Sequence, residues 1–193
     1  MARRYHHGDL RQAVLTEAVA VLGESGPGAV NLRDLARRVG VSHAAPAHHF
    51  GDRAGLLTAV AAQGFDLLAD ALEELSPSAD LLEAGVAYAS FAVEHRAHFE
   101  VMFREDLLRA DDPDLRAARE RSSQALDWAV AGFRDGGVDP VAAGAAAWSL
   151  VHGFATLWLQ RALPAGLGDD VRAAVRAVAG LLVRDAHPPP PSG

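Results

Sequence analysis

Almost every break in this chain has the chemistry of a helix end. Asn31, Ser42 and Asp52, and the pairs Asp112-Pro113 and Asp139-Pro140, stand where an apolar pattern of helical spacing begins. An Asx or Ser side chain can accept from the exposed N–H groups of a first helical turn. Proline suits the first helical position, because the N–H it lacks has no partner there. Gly26-Pro27-Gly28, Gly40, Gly51 and Gly136-Gly137 stand where such patterns stop. Alanine is abundant, β-branched residues other than valine are scarce, and no strand-type alternation exceeds a few residues. The expected fold is therefore all-α. The spacing predicts a first helix opened by Asp9 and Gln12, with Leu10, Val14, Ala18, Val21 and Leu22 on one stripe. Further helices are predicted over 32–39, 42–49, 52–75, 80–95, a short piece through Phe99–Phe103, 113–135, 140–162 and 168–186. The proline-rich tail 187–193 is expected to be disordered.

With 193 residues, half of them hydrophobic, the chain can bury a substantial core. It has no cysteine, which excludes disulfides, thiolate catalysis and Cys-type zinc sites. No apolar run is expected to reach the roughly 20 residues of a membrane span, and MARRYHHGDLR lacks the apolar core of a secretory signal. A soluble, cytoplasmic protein with no membrane partner is expected. All 18 basic residues are arginine. Residues 1–60 hold seven arginines and five acids, giving +2, while the remaining 11 arginines face 20 acids, giving −9. A basic head on an acidic body suggests that the head alone meets a polyanion.

The stretch GVSHAAPAHHF, residues 40–50, places three histidines and a proline in eleven positions. His43 and His48 lie about 140° apart around a helix axis and His48 and His49 about 100°, so the three rings diverge from any single ion. No cofactor or metal is expected. Ser42 is taken by capping and Asp52 by the next helix, so no catalytic group stands nearby. What fits the flanks is a helix-turn-helix: a short helix to Val39, a glycine turn at Gly40, and a second short helix after Ser42. Leu32, Leu35, Ala36, Val39, Val41 and Phe50 would face inward. His43, Ala44, Ala45, Ala47 and His48 would face outward as a low-relief edge. Such a helix can enter a major groove roughly 12 Å wide. There imidazole can meet phosphate or guanine acceptors, and alanine can meet thymine methyls.

From Leu10 to about Ala61 the chain resembles the DNA-binding domain of TetR-family transcriptional regulators. The resemblance is carried by the small, apolar first helix, by NLRDLARRVGVS, by His49-Phe50 and by Asp52-Arg53-x-x-Leu56-Leu57. YHHGDLR near the start and Trp148-Ser-Leu-Val-His152-Gly153 are similar to a subgroup with a Trp-x-x-x-His-Gly signature. The resemblance implies an N-terminal three-helix head, over 1–60, that binds double-stranded DNA. It implies a larger helical domain, over 61–186, that dimerises and holds a small effector whose binding loosens the grip on DNA. The family usually has tyrosine where Ala47 stands and lysine where Arg53 stands. The candidate base-reading residues are His43, Ala44, Ala45 and His48. The candidate backbone contacts are Asn31, Arg33, Ser42, His49 and Arg53, with Arg3 and Arg4 as a minor-groove arm.

In the body, 140–162 is apolar around nearly its whole circumference, with Ala142, Ala143, Gly144, Ala146 and Ala147 permitting close approach. Val171, Ala174, Val175, Val178, Leu181 and Leu182 form a stripe on the last helix. Two such helices from each subunit would make a four-helix interface. Phe65, Leu68, Tyr88, Phe91, Met102, Phe103, Trp128, Trp148 and His152 are the candidate effector lining. Nothing in the sequence suggests an enzyme: no convergent carboxylates, nucleophile or phosphate loop stand out. The alternatives are a small helical enzyme using His152 as acid or base, and a helical module whose basic head binds a protein.

Overall fold

A computed structural model describes residues 7–75, 80–131 and 139–185, apart from the side chains of 7–9, 127–131, 140 and 182–185. The described residues are helical, with no strand among them. The helices are α1 (His7–Ser25), α2 (Leu32–Val39), α3 (Ala44–Phe50), α4 (Arg53–Glu73), α5 (Leu81–Glu94), α6 (Arg96–Met102), α7 (Pro113–Ala131), α8 (Pro140–Leu159) and α9 (Val171–Asp185).

Asx caps account for most of the starts. Asn31 Oδ1 accepts from the Arg33 N–H at 2.9 Å, Asp52 Oδ1 from Gly55 at 2.9 Å, Asp80 Oδ1 from Glu83 at 3.0 Å and Asp139 Oδ1 from Val141 at 3.1 Å. Asp112 serves both Asp114 and Leu115. Ser42 does not cap as expected. The residue preceding α3 is His43, already in helical conformation, and the helix opens without a side-chain cap. Ser42 instead offers its carbonyl to the Ala45 N–H at 3.0 Å. The last helix begins at Val171 rather than near 168. A 3₁₀ turn over Ala165–Leu167 and Gly168 at φ 77° intervene, and Asp170 caps the helix through the Arg172 N–H at 2.9 Å. α1 begins at His7, so Asp9 lies inside its first turn instead of opening it as expected, while the end predicted for α7 near 135 and the tail lie outside the described residues.

Two compact units emerge. One comprises 1–66 together with 95–120, the other 67–94 together with 121–193. The first unit's core joins α1 (Val14, Leu15, Ala18, Val21, Leu22), Leu35 of α2, Phe50 of α3 and Leu56, Leu57 and Val60 of α4. Ala97 and Val101 of α6 complete it. Segment 95–120 therefore packs with the head, although it lies beyond residue 60 in the chain. Each fully buried leucine or valine here contributes roughly 1.5–3 kcal/mol by leaving water. In the second unit α5 packs against α8 and α9, with Val86, Ala89, Phe154, Ala174 and Val175 at the centre.

The expectation that no apolar run reaches membrane-span length fails for two helices. Arg53–Glu73 and Val141–Leu159 are both long and apolar enough by length and composition. They differ in burial: 61 % of the first helix's apolar window is buried inside the protein, but only 11 % of the second's. α4 is thus a core helix, whereas α8 has an apolar surface that the described residues leave mostly uncovered.

His98 on α6 is 6 % exposed. Its Nε2–H faces Gln63 Oε1 at 3.3 Å, and its Nδ1 is buried without a partner. Burial, with His95 nearby, pushes its pKa down to about 4. The unfolded chain therefore binds a proton that the folded chain resists. Stability contributed by neutral His98 is complete above about pH 6.5 and is lost as pH falls from 6.5 towards 4. Thermal melts at pH 7.5 and pH 5 are expected to show acid destabilisation, at most about 2 kcal/mol from this group. His98→Leu is expected to flatten that dependence. An equally steep profile in the variant would remove His98 as its source.

Candidate nucleic-acid interface

The turn between α2 and α3 is built on Gly40, at φ 76° and ψ 34°. This left-handed conformation costs glycine little and other residues more. It lets the Gly40 N–H reach the Arg37 carbonyl at 3.2 Å, and the Val41 N–H reach back to the Ala36 carbonyl at 2.9 Å. That pattern closes the end of α2 and redirects the chain. Ala36 is fully buried, and Leu35 of α2 and Phe50 of α3 share one core.

α3 then presents two different sides. Pro46 and Phe50 are buried, Ala45 and His49 are half-buried, and Ser42, His43, Ala44, Ala47 and His48 are exposed. The outward edge is low, as its alanines require, and carries imidazoles near both ends. The His48 and His49 rings stand 5.7 Å apart, edge to face, and His49 lies 6.3 Å from the Phe50 ring. A convex, low edge with two hydrogen-bonding rings can enter a major groove and meet base edges.

The candidate backbone contacts differ in how they are held. Asn31 caps α2, and Arg33 in its first turn is exposed. Arg53 Nη2 donates to the Pro27 carbonyl at 2.7 Å, which pins its guanidinium beside the turn before α2. Arg37 and Arg38 pair with Asp34 at 3.1 Å and Glu17 at 2.9 Å. Arg3 and Arg4 lie outside the described residues. Sequence reasoning did not single out Arg11, whose guanidinium lies 5.6 Å from the Phe50 ring centre. It holds a cation beside the end of α3, and no local pattern marks it.

Comparison with family profiles assigns both halves. The profile described as "Bacterial regulatory proteins, tetR family" matches residues 14–60. The profile described as "Tetracyclin repressor-like, C-terminal domain" matches residues 81–182, more than half of the chain. The chain belongs to the TetR family of bacterial regulators. Solved structures agree. A protein of unknown function from Rhodococcus sp. RHA1 is 32 % identical, with 95 % of this chain and 98 % of that one covered and a TM-score of 0.78. The TetR family transcriptional regulator PfmR from Thermus thermophilus is 26 % identical, with 89 % and 97 % covered and a TM-score of 0.66. The fatty acid degradation regulator FadR from Bacillus halodurans shares the fold at 16 % identity, with 89 % and 93 % covered and a TM-score of 0.68. No curated protein sequence matches significantly. The protein is thus a DNA-binding transcriptional regulator with an N-terminal helix-turn-helix domain and a C-terminal helical domain.

The nine residues expected to line an effector site divide between the two units. In the first, Phe65 and Phe103 stack edge to face at 5.5 Å, and Met102 is fully buried. In the second, Leu68 and Phe91 are buried, while Tyr88, Trp148 and His152 form a polar cluster. The Tyr88 hydroxyl and His152 Nδ1 are 2.9 Å apart. Burial pushes the Tyr88 phenol well above its usual range, and a bond from Trp148 acts in the opposite sense. Burial pushes His152 down. The phenol therefore keeps its proton beside a neutral ring, while the indole N–H, which can only donate, points to the phenol oxygen. The Trp128 side chain lies outside the described residues. A cleft of about 110 Å³ beside α2, lined by residues including Asn31, Asp34, Arg37 and Arg38, touches none of the nine.

Replacing His43 and His48 together by glutamate puts two carboxylates on the edge facing phosphates. Duplex affinity is expected to fall by at least about 100-fold. Ala47→Tyr adds a hydroxyl to the exposed edge of α3 and is expected to tighten binding about two- to tenfold. Fluorescence anisotropy with a labelled duplex selected by the wild-type protein measures both. Unchanged capture by the double glutamate variant would remove α3 as the reading helix.

Proposed function

We propose that this regulator is a ligand-responsive repressor acting in the cytoplasm, and that it belongs to the subgroup marked by Trp148-x-x-x-His152-Gly153. In this reading it binds a palindromic operator as a homodimer, and a small-molecule effector held by the helical domain releases it. The observation that carries the DNA half is the low outward edge of α3, with His43, Ala44 and His48 on it. Ala45 joins them as a base contact. Asn31, Arg33, Ser42, His49 and Arg53 grip the backbone, with Arg3 and Arg4 as the arm.

The exposed apolar surface of the second unit supports the homodimer. Val141 is 79 % exposed, Trp148 46 %, Leu157 42 % and Leu181 66 %. Val141 and Trp148, two turns apart, share one side of α8, and Leu157 and Leu181 add exposed apolar surface on α8 and α9; burying such surface against a second copy takes it out of water. Small residues along α8 let the paired helices approach closely. A dimer placed this way carries two heads, whose half-sites must lie about 34 Å apart or at a multiple of that.

For the effector, the polar cluster of Tyr88, Trp148 and His152 supports a site in the second unit, with Leu68 and Phe91 of the same unit as further lining. An effector that binds one head spacing better than the other shifts the protein away from DNA by its differential affinity.

Selection from random duplex DNA is the direct test. Recovered sequences are expected to contain two inverted half-sites at a fixed spacing near one helical turn or a multiple. Enrichment of a single asymmetric site would sink the homodimeric reading. Leu157→Arg combined with Val141→Asp is expected to give a monomer in sedimentation velocity, with helix content kept and operator affinity reduced by at least about 100-fold. A dimer that persists would place the interface elsewhere.

A further inference from the structure

We infer that Arg109, in the segment between α6 and α7, is a positioning residue for the recognition helix: it holds the joint at which α3 turns into α4. The inference rests on α3 being the DNA-reading helix.

The joint is unusually tight. Gly51 has φ 75° and ψ −70°, and the Asp52 N–H donates to the Phe50 carbonyl at 3.0 Å, two residues back. This is a γ-turn of the positive-φ kind, which is rare because it is strained, and glycine is the residue that tolerates it. The close approach continues one turn later. A Cβ on Gly55 would lie 2.0 Å from the Phe50 carbonyl oxygen, so no side chain fits there. Strained turns persist where surrounding groups over-determine them.

Arg109 supplies that determination from far along the chain. Its Nη2 lies 2.9 Å from Asp52 Oδ2, while Asp52 Oδ1 caps α4 through the Gly55 N–H. The guanidinium lies over both glycines: a Cβ on Gly51 would meet it at 3.3 Å, and one on Gly55 at 3.1 Å. The same residue's N–H donates to Thr58 Oγ1 at 2.9 Å, and Thr58 is 1 % exposed. Leu107 and Leu108 pack on the core that holds α3. The two bonds of Arg109 thus fasten Asp52 and the first turns of α4 to the segment after α6, with the guanidinium lying against Gly51, where α3 ends. They leave the outward edge of α3 untouched, so Arg109 acts through the angle at which α3 leaves the joint.

The ion pair is solvent-exposed, with 43 % of the Arg109 and 63 % of the Asp52 side chain accessible. Losing it is therefore expected to cost little global stability, and an effect on DNA binding can be read separately.

The probe is a duplex recovered by the wild-type protein from random-sequence DNA. His43→Glu combined with His48→Glu tests the reading of α3 on it, and variants at Arg109 and Asp52 test the joint. Arg109→Gln keeps the main-chain bond to Thr58, and Asp52→Asn keeps an oxygen that can cap α4. Each is expected to weaken duplex binding about three- to tenfold, with the double variant no worse than either single one. Arg109→Lys, which keeps the charge but not the planar cover, is expected to recover part of the loss. The slope of log affinity against log salt is expected to match wild type, because no phosphate contact is lost.

Wild-type affinity in Arg109→Gln would overturn the inference. So would a salt slope lowered by about one together with tighter binding by Asp52→Asn, since Arg109 would then touch a phosphate itself. A fall in melting temperature beyond about 5 °C with a proportional loss of binding would also overturn it, showing a merely structural role.

Discussion

A helix of seven residues cannot hold itself together in water, because too few hydrogen bonds offset the cost of fixing its first turn. α3 is that short, and it opens without a side-chain cap. Its existence therefore depends on the two sites that pin its ends and on the two side chains it buries. Gly40 sets its entry and Gly51 its exit, both with positive φ, while Pro46 and Phe50 anchor its inner side. Phe50 packs into a core shared by α1, α2, α4 and α6, so the reading edge inherits its orientation from all of these helices. His43, Ala44, Ala47 and His48 are exposed, so the core constrains their identities little.

The two most apolar long helices have opposite fates, and the contrast carries information. α4 is buried because its surroundings cover it, and α8 is not. An apolar helix left mostly uncovered by the described residues, next to α9 with Leu181 also exposed, is costly to keep in water. A second copy of the same surface relieves that cost without requiring any other partner, and an interface between identical chains is self-complementary by symmetry.

Much of this architecture was legible in the sequence because helix ends are written locally. Asn31, Asp52, Asp80, Asp112 and Asp139 each sit where an orphan N–H needs an acceptor two or three residues on. Ser42 misled for a local reason too. The turn at Gly40 places Ser42 one residue too early, and its carbonyl, not its hydroxyl, meets the first turn of α3. What stayed hidden was everything set by distance along the chain. Nothing near residue 109 announces Asp52, and nothing near Arg53 announces the Pro27 carbonyl. The association of 95–120 with the head is of the same kind. Apolar periodicity marks which face is buried, but not against which helix. The expected effector lining suffers most from this, because aromatic residues at helical spacing look alike whether they meet each other, a ligand or the core.

The charges of the head explain why one copy would make a poor regulator. Arg37 and Arg38 face carboxylates, which leaves Arg33 and Arg53 as the candidate phosphate contacts among the described arginines of α2 and α4. Counterion release, which grows with each phosphate neutralised, then contributes modestly per head. A seven-residue reading helix adds only a few base contacts, each worth about 1–3 kcal/mol of discrimination. Joining two heads changes the arithmetic. Once one head is seated, the second faces its half-site at an effective concentration in the millimolar range, provided the spacing matches. Affinity then depends on geometry more than on charge, and anything that alters head spacing or the angle at which α3 leaves its joint acts on the term that dominates.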